Sequence, residues 1–439
     1  MIDTQLPKGW TSELLVNLAD YFNGAAFSER HWGKDGLPII RIEQINNPEA
    51  EKDKYSGPVL PKNYIDTGDL IFSWSATLKV VIWNDGPAVL NQHLYKVVPK
   101  KAINKVLLQH ILDFNMDRLA RQSQGSTMRH VTRKELSRFR VIYPIDPYEQ
   151  KKIAKILKTI GQAIEKTETL IGKYQRIKSG LMHDLFTRGI GPDGQLRPPR
   201  EQAPKLYQET PIGWIPKDWN YKPLEHGLSA SPKNGYSPKE VDTWQDLYVL
   251  GLGCLTKSGF KPVQLKNAPK SALSSGAKLR DGDFLISRSN TQELVGLCGI
   301  YRSVGHDMIY PDLMMKLKLE HSLIGEFLER YLLSGAARKR ISALAVGTSA
   351  SMVKLNAASI SKLEIVYPSP EEQLKIVEVL KPVEAQLSSL SSQLEKLYKH
   401  KSGLTHDLLT GEVRVCTESG ESSPPVLPNS QGAIVYAND

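Results

Sequence analysis

Only three cysteines occur in 439 residues, Cys254, Cys298 and Cys416. They are odd in number and widely spaced, and they form no Cys-x-x-Cys pair and no Cys/His zinc spacing. A disulfide framework and a structural zinc site are thereby excluded, and a reducing cytosol is the expected setting. No stretch approaches the roughly 20 apolar residues that span a bilayer, and no charged start is followed by an apolar run of signal-peptide type. A soluble, cytoplasmic protein is expected.

Catalytic signatures are also missing. No G-x-x-x-x-G-K-[ST] loop is present, so no nucleotide-driven motor is built in. The Asn/Asp-Pro-Pro-aromatic tetrapeptide of adenine methyltransferases has no counterpart: the Pro-Pro pairs at Arg197-Pro198-Pro199-Arg200 and in the tail lack both flanks. Asp312 and Lys316, after Pro311, lack the well-spaced second acid of a nuclease cluster. The reading is a binding protein, not an enzyme, with no catalytic residues, no metal and no cofactor of its own.

What is present is repetition. Lys178 to Thr187 read K-S-G-L-M-H-D-L-F-T, and Lys401 to Thr410 read K-S-G-L-T-H-D-L-L-T, about half the chain later. Upstream of each stands Y-P-I-D-P-Y-E-Q from Tyr143 or Y-P-S-P-E-E-Q from Tyr367. Earlier still, G-D-L-I-F-S-W-S from Gly68 matches G-D-F-L-I-S-R-S from Gly282. Each half opens on a P-K-x-W element, at Pro7 and Pro216. Four landmarks in one order mark a tandem duplication of a globular-domain-plus-helix unit. Their offsets widen along the globular part and stay constant along the helix. The second globular half has therefore gained residues while the helix kept its length. The His-Asp pairs inside the repeated exit motif fall near helix C-termini, where a cationic His suits the dipole; they are not read as acid–base groups.

Hydrophobic periodicity fixes the organisation. In residues 1–146, Leu37–Ile42, Asp69–Trp74 and Lys79–Trp83 read as strands bounded by Gly and Pro, and Val106–Arg121 as helix. From Tyr148 the period becomes a heptad seam through Ile153, Leu157, Ile160, Ile164, Thr167, Ile171 and Tyr174. A second seam runs through Ile376, Leu380, Val383, Leu387, Leu390, Leu394 and Leu397. The expected boundaries are a first globular domain at 1–146, a long helix at 147–188 and a Gly/Pro-rich linker at 189–211. A second domain at 212–369, a long helix at 370–411 and a disordered tail at 412–439 complete the chain. The two seams are natural partners for one another, though seams alone leave their mutual direction open.

Lys and Arg number 57 against 47 Asp and Glu, a formal net charge of +10. That surplus favours a polyanionic partner.

Two divergent domains, each opened by a P-x-G-W-like motif and followed by a near-identical long helix, resemble the specificity subunit of Type I DNA restriction–modification systems. The resemblance covers about residues 5 to 412. It implies an α+β fold of two pseudo-repeated target-recognition domains separated by two long helices in an antiparallel coiled coil. It further implies double-stranded DNA as ligand, each domain reading half of a split target. Two methyltransferase subunits carrying S-adenosylmethionine would dock on the chain, with motor–nuclease subunits attached through them. A protein-only coiled-coil scaffold without DNA binding is the alternative.

Candidate DNA-contacting residues follow from chemistry: Arg or Lys for guanine, Asn or Gln for adenine, and Gly-Ser/Thr loops for phosphate. In the first half these are Arg41, Gln44 and Asn46, then Ser73 and Trp74, then Ser126, Thr127 and Arg129. In the second half they are Lys257, read as lying in the segment corresponding to Arg41, then Arg288, Ser289 and Asn290, then Thr348 and Ser349. The Arg41/Gln44 and Arg288/Asn290 sets are assigned to reading and the Gly-Ser/Thr loops to positioning.

Overall fold

The computed structural model describes residues 6–122, 131–347 and 352–415. The chain divides into two compact units, one of residues 1–168 with 392–439 and the other of residues 169–391. Each unit therefore holds one globular half together with the start of one long helix and the end of the other.

In the first unit the central sheet is antiparallel and four-stranded, ordered Ala19–Asn23, Leu94–Pro99, Leu70–Ser73, Lys79–Ile82. A second sheet is built on Leu37–Ile40, which runs parallel to Ala88–Leu90. The strand Trp10–Leu14 pairs with Arg140–Pro144, placing the opening motif beside the helix entry. The second unit repeats this plan. Its central sheet runs Leu228–Asn234, Met314–Leu319, Phe284–Ser287, Cys298–Ile300, and Leu247–Leu250 lies parallel to Asp307–Ile309. Asn220–Pro223 pairs with Glu364–Tyr367. Where the first half has the short helix Ile42–Asn46, the second has a hairpin, Leu255–Thr256 with Gly259–Phe260.

The long helices span Pro147–Thr187 and Pro370–Thr410, 41 residues each. Proline fits their first position, where the backbone N–H it lacks would have no partner. The Asp146 carboxylate accepts from Tyr148 N at 2.9 Å, and the Ser369 hydroxyl accepts from Glu372 N at 3.2 Å. Left-handed glycines, Gly189 (φ 63°) and Gly411 (φ 75°), come after their last residues, as helix ends favour. In both exit motifs the final Thr donates its hydroxyl to a His carbonyl at 2.7 Å, Thr187 to His183 and Thr410 to His406. The repeated His and Thr thus serve to finish a helix.

The x-E-Q entry motifs tie each unit together. In the second unit Glu372 is buried and accepts from Arg197 Nη1 at 2.5 Å and Nη2 at 3.0 Å, Trp219 Nε1 at 3.0 Å and Ile190 N at 2.8 Å. In the first unit Glu149 accepts from Arg414 Nε at 2.8 Å and Nη2 at 2.9 Å, and from Trp10 Nε1 at 3.3 Å. The Trp in each knot belongs to the P-K-x-W motif, and the Arg to the segment just beyond the other helix. The neighbouring Gln holds the globular helix. Gln150 accepts from Asn104 N and donates to Ala102 O and Pro144 O; Gln373 accepts from Ile324 N and donates to Ser322 O and Pro368 O. Burial works against the Arg197 cation, but the hydrogen bonds and charge of Glu372 and Asp218 outweigh it and raise its pKa.

Each core includes both helix ends. Leu408 and Leu409 share the first-unit core with Ile153, Leu157 and Trp10, and Leu185 and Phe186 share the second-unit core with Ile376, Leu380 and Trp219. Further along, Tyr398 donates to Glu168 at 2.6 Å in the first unit. In the second, Glu384 pairs with Lys178 at 2.9 Å and Arg330 at 2.6 Å.

Three expectations are corrected. The stretch 189–211 is not a bare linker: Arg197 is buried in the Glu372 knot and Tyr207–Thr210 forms a hairpin with Gly213–Pro216. Residues 412–415 of the expected tail pack through Arg414 and Val415, while 416–439 lie outside the described residues. The first expected strand stops at Ile40, because Ile42–Asn46 is a short helix. No helix among the described residues is long and apolar enough to cross a membrane.

Candidate nucleic-acid interface

The repeated G-D strand ends in S-W-S in one half and S-R-S in the other, and both exits have the same construction. Ser73 and Ser75 are buried, as are Ser287 and Ser289. Ser73 Oγ donates to Thr77 O at 2.6 Å; Ser287 Oγ faces Ser289 O at 3.5 Å. The first serine of each pair bonds its hydroxyl to the local backbone, whereas Ser289 Oγ has no partner among the described residues. The middle residue is fixed by a matching pair of backbone bonds. Trp74 N donates to His93 O at 3.4 Å and Trp74 O accepts from Val131 N at 2.8 Å; Arg288 N donates to Leu313 O at 2.9 Å and Arg288 O accepts from Leu355 N at 2.7 Å.

Two further segments therefore meet each S-x-S exit. One is the loop before the central strand, Asn91-Gln92-His93 or Pro311-Asp312-Leu313. The other is the segment C-terminal to the Gly-Ser/Thr loop. An Asn-Gly pair at the end of the first sheet strand allows a close approach to the neighbouring loop. A Cβ on Gly24 would lie 2.2 Å from Leu90 O, and one on Gly235 2.1 Å from Tyr310 O.

Around this matched backbone the side chains differ. The Trp74 ring lies 5.7 Å from both His93 and Tyr95. Arg288 is half-buried, its Nη1 reaches only Asp312 O at 3.4 Å, and its Nε has no partner among the described residues. No carboxylate among the described residues pairs with it. A guanidinium so placed has five donors and almost nothing to give them to.

The other expected residues have varied positions. Arg41 pairs with Asp53 at 2.7 Å and lies 4.9 Å from the centre of the exposed Trp32 ring. Asn46 is exposed at the end of its helix. Asn290 is half-buried and accepts from Thr291 N at 2.9 Å. Gln44, expected to read a base, is 1% exposed. Its amide accepts from Arg41 N at 3.0 Å and donates to Glu51 O at 2.7 Å, so it caps a helix and faces no groove. Ser73 and Ser289 are likewise enclosed framework. Lys257 lies, like Arg41, in the connection between matched strands, Leu247–Leu250 to Leu265–Asn267 in the second half and Leu37–Ile40 to Lys54–Tyr55 in the first, but it stands in a hairpin turn, exposed and paired with Glu293. Ser126, Thr127, Arg129, Thr348 and Ser349 lie outside the described residues. Sequence reasoning misses the loop of Gln92 and His93 beside the first exit, and it weighs Asp312 only as a nuclease carboxylate, not as a neighbour of the second. The repeated Asn-Gly pair is the signal that another loop comes close there.

Among the described residues no cluster of His, Cys, Asp and Glu is arranged to hold a metal. Burial pushes the Cys254 and Cys298 thiols up, away from reactive thiolate.

Comparison with known proteins decides the family. Residues 7–172 and 256–398 match the Type I restriction modification DNA specificity domain. The chain belongs to this family. The first match begins at Pro7 of the opening motif and the second at Thr256. The chain is 23% identical over 370 residues to the Type I restriction enzyme MjaVIII specificity subunit of Methanocaldococcus jannaschii, covering 80% of each. It is 22% identical over 437 residues to the EcoKI specificity subunit of Escherichia coli strain K12, covering 93% of this chain and 89% of that one. A crystal structure of a Type I S subunit from M. genitalium shares the fold, with a TM-score of 0.58 at 13% identity over 93% of this chain and 98% of that one. This specificity chain is accordingly a non-catalytic DNA-recognition protein. Methylation and cleavage belong to other subunits of such systems.

Proposed function

We propose that each globular half of this specificity chain reads one half of a split duplex-DNA target and that the two long helices pair antiparallel, as a coiled coil, to fix the gap. The observation that carries the reading function is the matched S-x-S exit, one backbone arrangement presenting a different residue in each half. Equal frames with unequal side chains suit two sites of unequal sequence. Trp74, Arg288, Arg41, Asn46 and Asn290 are the proposed contacts. Ser126, Thr127, Arg129, Thr348 and Ser349 are proposed for phosphate, as Gly-Ser/Thr loops suit.

Pairing of the helices is supported by Glu168, at the middle of the first helix, meeting Tyr398 late in the second, and by Lys178, late in the first, meeting Glu384 early in the second, as antiparallel helices require. Methyltransferase subunits, bringing S-adenosylmethionine, are proposed to dock on this chain and to carry the motor–nuclease subunits, in the cytoplasm. The chain itself is proposed to need no cofactor. A protein-only scaffold is the competing reading. Duplex affinity that falls steeply with added salt in the assembled methyltransferase supports DNA reading, whereas no duplex binding at any salt supports the scaffold.

The spacing role has its own test. Four residues inserted at Thr167 lengthen the first helix by about 6 Å and rotate its C-terminal part by roughly 40° beyond a full turn. At about 3.4 Å per base pair along a strand, the expected result is the same two half-sites with a gap longer by about one or two base pairs and reduced activity. Mapping methylated sites reads it. An unchanged gap in a fully active variant contradicts a spacing role.

A further inference from the structure

Resting on the DNA-reading role proposed above, we infer that the middle residue of each S-x-S exit is a single interchangeable reading position, with Trp74 specifying a thymine methyl and Arg288 specifying guanine.

The frame is common to both halves. The flanking serines are buried, the middle residue keeps a bond to the loop before the central strand, and its carbonyl keeps a bond to the segment after the Gly-Ser/Thr loop. With the backbone so held, the Cα–Cβ direction of residue 74 in its domain corresponds to that of residue 288 in the other. What differs is the side chain and its backing. The strand registers put Tyr95 opposite Phe72 and Met315 opposite Ile286, so Tyr95 and Met315 are counterparts. The backbone bonds make His93 and Leu313 counterparts in the same way.

Among the described residues the His93 and Tyr95 rings, each 5.7 Å away, brace Trp74. An indole offers a broad apolar face and no forked donor, which fits the methyl of thymine and not the paired acceptors of guanine. In the second half Leu313 and Met315 are apolar and supply Arg288 with no side-chain acceptor. The Asp312 carboxylate, which would be the natural partner, is engaged by the Ser237 hydroxyl. Among the described residues Arg288 keeps its fork free except for one long bond to a carbonyl. A half-buried, unpaired guanidinium on a fixed strand exit is ready for two acceptors side by side. Guanine O6 and N7 provide them, and so does a phosphate.

The test is methylated-site mapping with the complete methyltransferase, comparing the natural chain with Arg288→Gln, Arg288→Lys and Trp74→Arg. Arg288→Gln is expected to lower methylation of the natural site by about 10- to 100-fold and to replace guanine at one position of one half-site, adenine being favoured by the amide. Trp74→Arg is expected to introduce guanine at one position of the other half-site. If Arg288→Gln and Arg288→Lys weaken all sites alike with the motif unchanged and a smaller salt dependence, Arg288 holds phosphate and the inference is overturned, while the two-part reading stands. If Trp74→Arg folds, is active and keeps the natural motif, the interchangeable position is overturned. If the natural chain itself directs no two-part motif, the proposed function falls and not merely this inference.

Discussion

Exchanging residues 1–146 for the matching domain of a relative is expected to change one half-site completely and to leave the other half-site and the gap as they were. The expectation rests on how the first unit is closed. Its proposed reading residues lie on the central sheet and its loops, whereas its attachment to the helices runs through Trp10, the Gln150 bonds and the shared core of Ile153, Leu157 and Leu408. Among the described residues the Gln150 side chain bonds only backbone atoms of the domain, Asn104 N, Ala102 O and Pro144 O, which any relative with the same turn supplies. The exchange therefore replaces the sensor and retains the socket, provided the incoming domain keeps the Trp of its opening motif. Methylated-site mapping of the chimera is the measurement. Simultaneous change of both half-sites would show that the domains read as one surface.

The largest stability effect is expected at Glu372. Replacing it by Ala leaves Arg197, whose side chain is 8% exposed, with only the exposed Asp218 as counter-charge, and strips Trp219 Nε1 and Ile190 N of their acceptor. Breaking a buried pair from one side costs about 3–5 kcal/mol, which in a unit of this size lowers the unfolding midpoint by roughly 10 °C. Glu149→Ala is expected to do clearly less. Its partner Arg414 has a side chain 45% exposed, so water can solvate the released guanidinium. Thermal unfolding of the two variants beside the natural chain reads the difference. Equal midpoints would mean that the Glu372 knot does not hold the second unit together.

The parts of the fold legible in sequence are those set by local constraints or by repetition. Pro147 and Pro370 start the long helices, Gly189 and Gly411 come after their ends, and the heptad seams between them carry the buried Ile153, Leu157, Ile376 and Leu380. The stretch 189–211 misleads because its composition is that of a loop. Arg197 finds Glu372 across 175 residues of sequence and Arg414 finds Glu149 across 265, and no local pattern announces either pair. Duplication does flag the knots, since both x-E-Q entries and both P-K-x-W openings recur, but repetition alone does not reveal that the Trp donates to the Glu.

The reading residues are less legible for a different reason. Base-contact chemistry names side chains without regard to burial. Gln44 suits adenine, yet a short helix beginning at Ile42 turns it inward as a cap. Lys257 suits guanine, yet it stands in a hairpin turn, where its ammonium meets Glu293. Trp74 and Arg288 remain because the motif that contains them is itself one of the repeated landmarks.

The central claim, two half-sites read by two duplicated domains, is tested most directly by sequencing methylated bases in the genomic DNA of a host that carries the natural chain with its methyltransferase subunits. The predicted result is one motif made of two specified halves separated by a constant number of unspecified base pairs. A single contiguous motif, or two halves whose separation varies from site to site, would contradict it.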